Sequence, residues 1–311
     1  MRRHAALERI EPRALGRVSV RLDVTINDGS EGISASMTKL ADQGFLDLGD
    51  MRLEYRMIGP RPDAAPTLVM LHEGLGHAGI WGKFADDLAA ATGAGVFSYS
   101  RAGYGNSSPS TLPRSAAFMH EEAREVLPLV LDAIGFRRGL LVGHSDGGSI
   151  AAIYAGSIQD HRVRGLALMA PHFFTETMGV EEIARAKVAF EQGSLRERMA
   201  KSHADVDNAF YNWSGPWLLP EFRQWDITDA LAYIRVPILI VQGEDDQYGT
   251  TRQIEVAQEE CYCPVEVAFL PGVRHAPYRE APEATLRAIA EFSNRLLHDH
   301  HEGDITTRAA E

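Results

Sequence analysis

The chain predicts an α/β fold, a mostly parallel, doubly wound sheet covered by helices on both faces, with a helix-rich insertion late in the sequence. Three observations carry this. Short apolar runs recur at 67–72, 95–100, 140–142, 163–169, 236–241 and 265–270. Parallel strands buried on both faces read as such continuous runs and not as an alternation. Segments of helical pattern separate them, and strand–helix alternation requires crossover connections and therefore parallel pairing. One stretch, 172 to about 228, breaks the rhythm. It holds nine aromatic residues, and three of the four tryptophans fall within thirteen positions.

Residues 1–42 are mixed in charge and weakly patterned, and read as an N-terminal extension without assignable function. Within it, 17–24 alternates like a strand and 27–32 is turn-rich. Residues 45–48 and 51–57, separated by Gly49-Asp50, predict an antiparallel hairpin at the sheet edge. Pro60, Pro62 and Pro66 mark a loop before the strand at 67–72. Helices are expected at 81–91 and 115–134, the latter long and amphipathic with Leu127, Val130, Leu131 and Ile134 on its apolar side. A strand at 140–142, a sharp turn and a helix at 149–158 follow, then the strand at 163–169. Inside the insertion, helices are expected around 180–190 and 194–203. The strand at 236–241, a helix at 253–260, the strand at 265–270 and a helix at 282–297 complete the core. The polar end 298–311, with His298, His300 and His301, reads as a disordered, solvated tail.

Apolar residues make up 45% of the 311, enough for one large domain with an insertion. A net charge of -12 argues against nucleic acid and anionic membrane surfaces as partners. No apolar run is long enough to span a membrane, and Met1-Arg2-Arg3-His4 leads into charged sequence, not a secretory apolar segment. Cys261 and Cys263 are too close for a good disulfide and lack a second pair to complete a zinc site, so they read as ordinary thiols in a reducing compartment. The expectation is a cytoplasmic protein with a small-molecule substrate, no metal, no cofactor, and neither a nucleic-acid nor a membrane partner. Homo-oligomerisation is left open.

The chemistry concentrates in Gly143-His144-Ser145-Asp146-Gly147, between the apolar run Leu140-Leu141-Val142 and a helical run rich in Ala and Ile. A serine on so tight a strand-to-helix turn needs glycine two positions to either side, because side chains there would clash. Such a turn lifts the hydroxyl above the sheet and aims the first helical N–H groups at what sits there. The alternative, a turn serine that merely caps a helix, is common. The strand before and the helix after favour a nucleophile.

Over residues 43–297 the sequence resembles the α/β-hydrolase family. In that family nucleophile, acid and base come in the chain order Ser, acid, His. Ser145 matches the nucleophile. Asp246 stands three residues after Gly243, as the family's acid does, and His275 matches the His of Gly-x-x-His in Gly272-Val273-Arg274-His275. Composition does not choose among Glu244, Asp245 and Asp246. The family spacing selects Asp246, and alternation along an extended segment turns Asp245 away. His275 would accept the serine proton and return it to the leaving group, while Asp246 holds the imidazole tautomer. The oxyanion hole is expected from the N–H groups of Asp146 and Gly74, the latter in His72-Glu73-Gly74-Leu75-Gly76. Glu73 replaces the family's usual Gly, and a structural hydrogen bond is the preferred role for it. Ser100-Arg101-Ala102-Gly103-Tyr104-Gly105 resembles the loop after the fourth strand and reads as structural.

The resemblance divides the chain into a core of 43–171 and 229–297 and a cap at 172–228. Trp213, Trp217 and Trp225 are the expected substrate-binding residues, with packing of the cap as the competing role. The implied activity is a serine hydrolase cleaving a carboxylic ester or lactone through an acyl-enzyme, with an apolar or aromatic substrate moiety. Carbon–carbon bond hydrolases of aromatic ring-fission products share triad and cap, but usually carry Trp where Ala276 stands. Ligand receptors of the same fold are a further alternative. Relatives with an Asp nucleophile, the dehalogenases and epoxide hydrolases, do not fit Ser145.

Overall fold

The computed structural model describes residues 40–298; the strand expected at 17–24, the turn at 27–32 and the tail beyond His298 lie outside the described residues. Eight strands form one sheet: β1 (Gln43–Leu48), β2 (Met51–Ile58), β3 (Thr67–Leu71), β4 (Gly95–Tyr99), β5 (Gly139–His144), β6 (Val163–Met169), β7 (Ile238–Gly243) and β8 (Val265–Leu270). Their order is β1-β2-β4-β3-β5-β6-β7-β8. The β1/β2 and β2/β4 pairs are antiparallel and every other pair is parallel. The expected hairpin closes across Gly49-Asp50 with Leu48 opposite Met51, and Gly49 takes the left-handed φ of 66° that the turn requires.

The apolar runs work as two-faced strands. Leu68, Met70, Leu140 and Val142 face one side, packing with Phe84 and Leu88 of the helix Lys83–Thr92 and Ile289 and Phe292 of the helix Pro282–His298. Val69, Leu71 and Leu141 face the other, against Leu127, Ile150 and Ile153. All of these strand side chains are buried. Each contributes about 1.5–3 kcal/mol by leaving water.

Two expectations need correction. The helix expected at 115–134 begins at Phe118 and is broken by a wider, π-helical turn at Glu122–Val126 before resuming at Leu127–Ala133. Pro128 explains the break. It has no N–H to give, and its ring would strike the carbonyl of Arg124 in an unbroken α-helix. In the insertion, the stretch 194–203 is helical only over Leu195–Met199. The third helix, Val206–Trp217, carries two of the tryptophans. Its start is capped by the Asp205 carboxylate, which accepts from the Asn208 N–H.

Since β3 to β8 run parallel, the loops after them leave the sheet at the same edge. His72, Arg101, Ser145, His172, Asp246 and His275 all lie just past a strand's C-terminal end, where a doubly wound sheet opens its crevice. The central pair β3/β5 is close enough that a Cβ on Gly139 would land on the Thr67 carbonyl. Gly139→Ala should therefore cost about 1–3 kcal/mol as overpacking and lower the thermal midpoint by about 5 °C. A midpoint unchanged in a melting experiment would refute this account of the pair.

Candidate active site

Ser145 joins β5 to the helix Asp146–Ser157 with φ 52° and ψ -120°, a conformation that L-residues rarely adopt. It is held from both sides. The Ser145 N–H donates to the Met169 carbonyl at 2.9 Å, and the Ser145 carbonyl accepts from the Gly148 N–H at 2.8 Å. A Cβ on Gly143 would meet the Gly147 backbone, and one on Gly147 would meet the Leu71 carbonyl, so the two glycines are what allow the helix to start this close to β3 and β5.

The structure brings Ser145, Asp246 and His275 together. The Ser145 hydroxyl donates to His275 Nε2 at 2.9 Å. His275 Nδ1–H donates to the Asp246 carboxylate, 2.9 Å from Oδ1 and 3.0 Å from Oδ2. An ionised carboxylate only accepts, so it fixes the proton on Nδ1 and leaves Nε2 as the acceptor. Asp246 also accepts from Gln242 Nε2 and from the Tyr248 N–H, both at 2.8 Å. Burial works to raise its pKa, but the His275 and Tyr248 hydrogen bonds outweigh this and hold it at about 2. Asp245 is exposed, and its N–H donates to the Val273 carbonyl.

Asp146 is the first residue of its helix, so its N–H has no acceptor within that helix. Its side chain is fully buried, with Oδ1 accepting from Trp217 Nε1–H at 3.1 Å and Oδ2 unpaired. Burial raises its pKa. Gly74 lies so close to the Trp213 indole that a Cβ there would overlap the ring. The carbonyl of Glu73 is drawn toward His72 Nδ1–H at 2.6 Å and Arg101 Nη2 at 3.1 Å. In a trans peptide the next N–H points the opposite way, so these bonds orient the Gly74 N–H. His72 Nε2 accepts from the Arg101 N–H at 3.1 Å, and burial, with the nearby Arg101 charge, keeps His72 well below its usual pKa. Arg101, buried and donating also to the His72 carbonyl, is a residue of this site whose importance sequence reasoning passed over.

A cavity of about 320 Å³ opens over these groups, lined by Ser145, His275, Gly74, Asp146, Trp213 and Trp217 among others. Trp225 does not line it. Its ring stacks on Phe222 with centroids 5.3 Å apart and backs Trp217 at 6.0 Å, because the turn Pro220–Gln224 carries it behind that wall. The expectation of direct contact is corrected to a packing role for Trp225. Sequence reasoning also missed Ile183, Tyr248 and His172, which line the same cavity. Tyr248 packs on the His275 ring at 4.5 Å, and His172 lies 5.7 Å from it. The signal for His172 was its place just past β6, the rule that located the other groups. Among the described residues no cluster of His, Cys, Asp or Glu suited to a metal ion occurs, and no helix is long and apolar enough to cross a membrane.

A family model described as "Alpha/beta hydrolase family" matches residues 68–288. Among curated proteins, a proline iminopeptidase of Lactobacillus helveticus is 26% identical over 231 residues, covering 62% of this chain and 78% of its own. A 2-hydroxy-6-oxo-6-phenylhexa-2,4-dienoate hydrolase of Comamonas testosteroni is 23% identical over 246 residues, covering 70% and 82%. Among solved structures, the enol-lactonase from Burkholderia xenovorans LB400 superposes with a TM-score of 0.63 at 19% identity, over 80% of this chain and 99% of that one. A thermophilic esterase from Thermogutta terrifontis does so with 0.64 at 17% identity, over 83% and 100%. Likeness at these identities speaks to the fold alone.

Burial pushes the His172 imidazole down to about 3. An unfolded histidine titrates near 6.5. Unfolding between these values takes up a proton here, so the stability this neutral ring contributes at pH 7 is lost as pH falls from about 6.5 to about 3, by up to about 5 kcal/mol. Denaturant midpoints followed from pH 7 to pH 4 should fall more steeply for the wild type than for His172→Phe. Parallel curves would place the acid sensitivity elsewhere.

Proposed function

The chain belongs to the alpha/beta hydrolase family and is a hydrolase; from that premise we propose that it cleaves a carboxylic ester or lactone through an acyl-enzyme on Ser145. The observation that carries this reading is the unbroken hydrogen-bond line Ser145 Oγ, His275 Nε2, His275 Nδ1, Asp246. In it, Ser145 Oγ attacks the substrate carbonyl as its proton passes to His275 Nε2. Asp246 stays ionised, holds the ring and offsets the imidazolium that forms, which its low pKa supports. The N–H groups of Gly74 and Asp146 receive the developing oxyanion. His275 returns the proton to the leaving alcohol, then takes one from the water that attacks the acyl-enzyme and gives it to Ser145 Oγ as the acyl–oxygen bond breaks and the acid departs.

Residues 172–228 act as a cap in this reading, placed between core segments 43–171 and 229–297. The helices Thr177–Gln192 and Val206–Trp217 supply Ile183, Trp213 and Trp217 to the cavity wall, which supports an apolar or aromatic substrate moiety. A second reading, release of an N-terminal residue from a peptide, has the iminopeptidase relatives and one local observation in its favour. Asp146 is among the residues lining the cavity, and its buried Oδ2 has no hydrogen-bond partner, which suits acceptance from a substrate amine. A screen of aryl esters, lactones, ring-fission diketones and prolyl amides separates these readings by which class is turned over.

Ser145→Ala should abolish turnover of every substrate that the screen finds while leaving the thermal midpoint within a few degrees. Asp246→Asn should lower kcat by on the order of ten-thousand-fold, and Asp245→Asn by about tenfold or less. Greater damage from Asp245→Asn, measured side by side, would shift the acid by one residue.

Trp213→Ala and Trp217→Ala should reorder the ester preferences, whereas Trp225→Ala, which reaches the cavity only through Trp217, should largely keep them. Equal loss for every ester in the first two variants would reduce those rings to packing.

A further inference from the structure

Three loops meet at His144, a residue the reaction outlined above does not use. It ends β5, one position before Ser145, and is only 2% exposed. Its Nε2–H donates to the backbone carbonyl of His275 at 2.7 Å. Its Nδ1 faces Glu73 Oε2 at 3.5 Å, close enough for an electrostatic contact but not a hydrogen bond, and neither atom has a hydrogen-bond partner elsewhere among the described residues. The Tyr278 ring meets the imidazole edge-on at 5.4 Å and limits its tilt. Glu73 is the residue that stands where related sequences were expected to have Gly, and its carboxyl is held below the usual range against the pull of burial, chiefly by His144.

We propose that Glu73 and His144 are positioning residues for the general base, a cross-tie running from the oxyanion loop through the nucleophile strand to the backbone of His275. The inference rests on the assignment of Ser145 and His275 made above. Asp246 restrains the His275 ring at Nδ1, and Glu280 holds the neighbouring N–H groups of Arg274 and Ala276 at 2.9 and 3.2 Å, but none of these bonds holds the His275 carbonyl. The bond from His144 Nε2–H restrains the loop at that carbonyl, on the other side of the same residue. The ring is thus bonded to the His275 loop through Nε2–H and lodged against the oxyanion loop at its other nitrogen, 3.5 Å from Glu73 Oε2. A displacement of the base by about 1 Å can cost on the order of a hundredfold in rate, so a bond to a backbone atom can govern turnover without touching substrate.

The test compares His144→Leu, which keeps bulk and removes both ring nitrogens, His144→Gln, which keeps one N–H in reach of the carbonyl, and Glu73→Gln, which keeps shape and removes charge. On an ester that the wild type turns over, His144→Leu should lower kcat by about thirtyfold to a hundredfold with KM within about threefold. His144→Gln should recover about tenfold of that loss, and Glu73→Gln should fall between. A kcat within threefold of wild type in His144→Leu, a loss lying in KM, or a Gln variant no better than Leu would overturn the proposal. The low-field NMR resonance of His275 Nδ1–H, identified by its loss in Asp246→Asn, gives a readout that needs no substrate. It should shift or broaden in His144→Leu and return in His144→Gln, and an unmoved resonance would also overturn the proposal. Should His144→Leu fail to fold, Glu73→Gln decides by the same two readouts. Wild-type protein inert toward every ester would sink the ester reading, while the resonance would still decide this one.

Discussion

The strained turn at Ser145 is the constraint on which the rest depends. A side chain with φ 52° and ψ -120° costs on the order of 1–3 kcal/mol, and persists only where its surroundings over-determine it. Here they do so through the bond to Met169 on one side and the tight start of the helix on the other. That start requires the backbones of β3, β5 and the helix to approach closer than any Cβ at 143 or 147 would permit. The same approach that strains the turn exposes the hydroxyl toward the cavity and leaves the helix's first N–H groups free. Strain, glycine spacing and a free donor are one geometric fact seen from three sides.

The wall above this turn is fixed as firmly as the floor. Asn212 Nδ2 donates to the Ala102 carbonyl at 2.9 Å, and Asn208 Nδ2 donates to the Ser110 carbonyl at 2.9 Å. Both asparagines sit on the helix Val206–Trp217, and both partners lie in the loop after β4. From the same helix, Trp217 Nε1–H reaches Asp146. Three polar contacts thus pin the helix carrying Trp213 and Trp217 to the loop after β4 and to the first residue of the helix Asp146–Ser157. Buried side-chain amides are costly unless paired, so these bonds set the register of the helix as well as its distance. The cavity is largely formed before any substrate enters, which in the proposed reaction lets binding energy go to the transition state instead of to ordering the wall.

What the sequence made legible divides along the same physical lines. Strands buried on both faces announce themselves as apolar runs, so β3 through β8 were found in place, and the loops after them held the residues that now converge. Asp246, the proposed acid, stood out only through its spacing after Gly243, because three consecutive carboxylates are alike in composition. The hydrogen bonds that separate them, from Gln242, Tyr248 and His275 to Asp246, are tertiary. The break at Glu122–Val126 was readable from Pro128 had the ring's missing N–H been weighed against the apolar periodicity. Trp225 was not separable from Trp213 and Trp217 by sequence, since all three are aromatic and close. Only the turn at Pro220–Gln224 decides that one of them stands behind the others. Arg101 was hidden for a different reason. Its role is to bind backbone carbonyls of a loop 29 residues away, and no local pattern encodes that.

Two carboxyl groups near the proposed oxyanion hole sharpen the electrostatic argument. A full negative charge beside a developing oxyanion would oppose the reaction, so Glu73 and Asp146 look out of place in the same wall. Their surroundings drive them apart. Glu73, despite burial, is pushed down by His144, which meets its charge with an imidazole. Asp146 is pushed up, first by burial and further by Glu73, against the opposing influence of Arg101 and the Trp217 hydrogen bond. The two carboxyls are thus displaced in opposite directions. The ionised one is turned to a partner beneath the loop. The other, next to Ser145, has its anionic form disfavoured by the same enclosure that would strengthen the backbone donors in the proposed reaction. In the proposed reaction enclosure would therefore act twice in the same direction, raising the worth of each N–H aimed at the oxyanion and reducing the charge on Asp146 beside it.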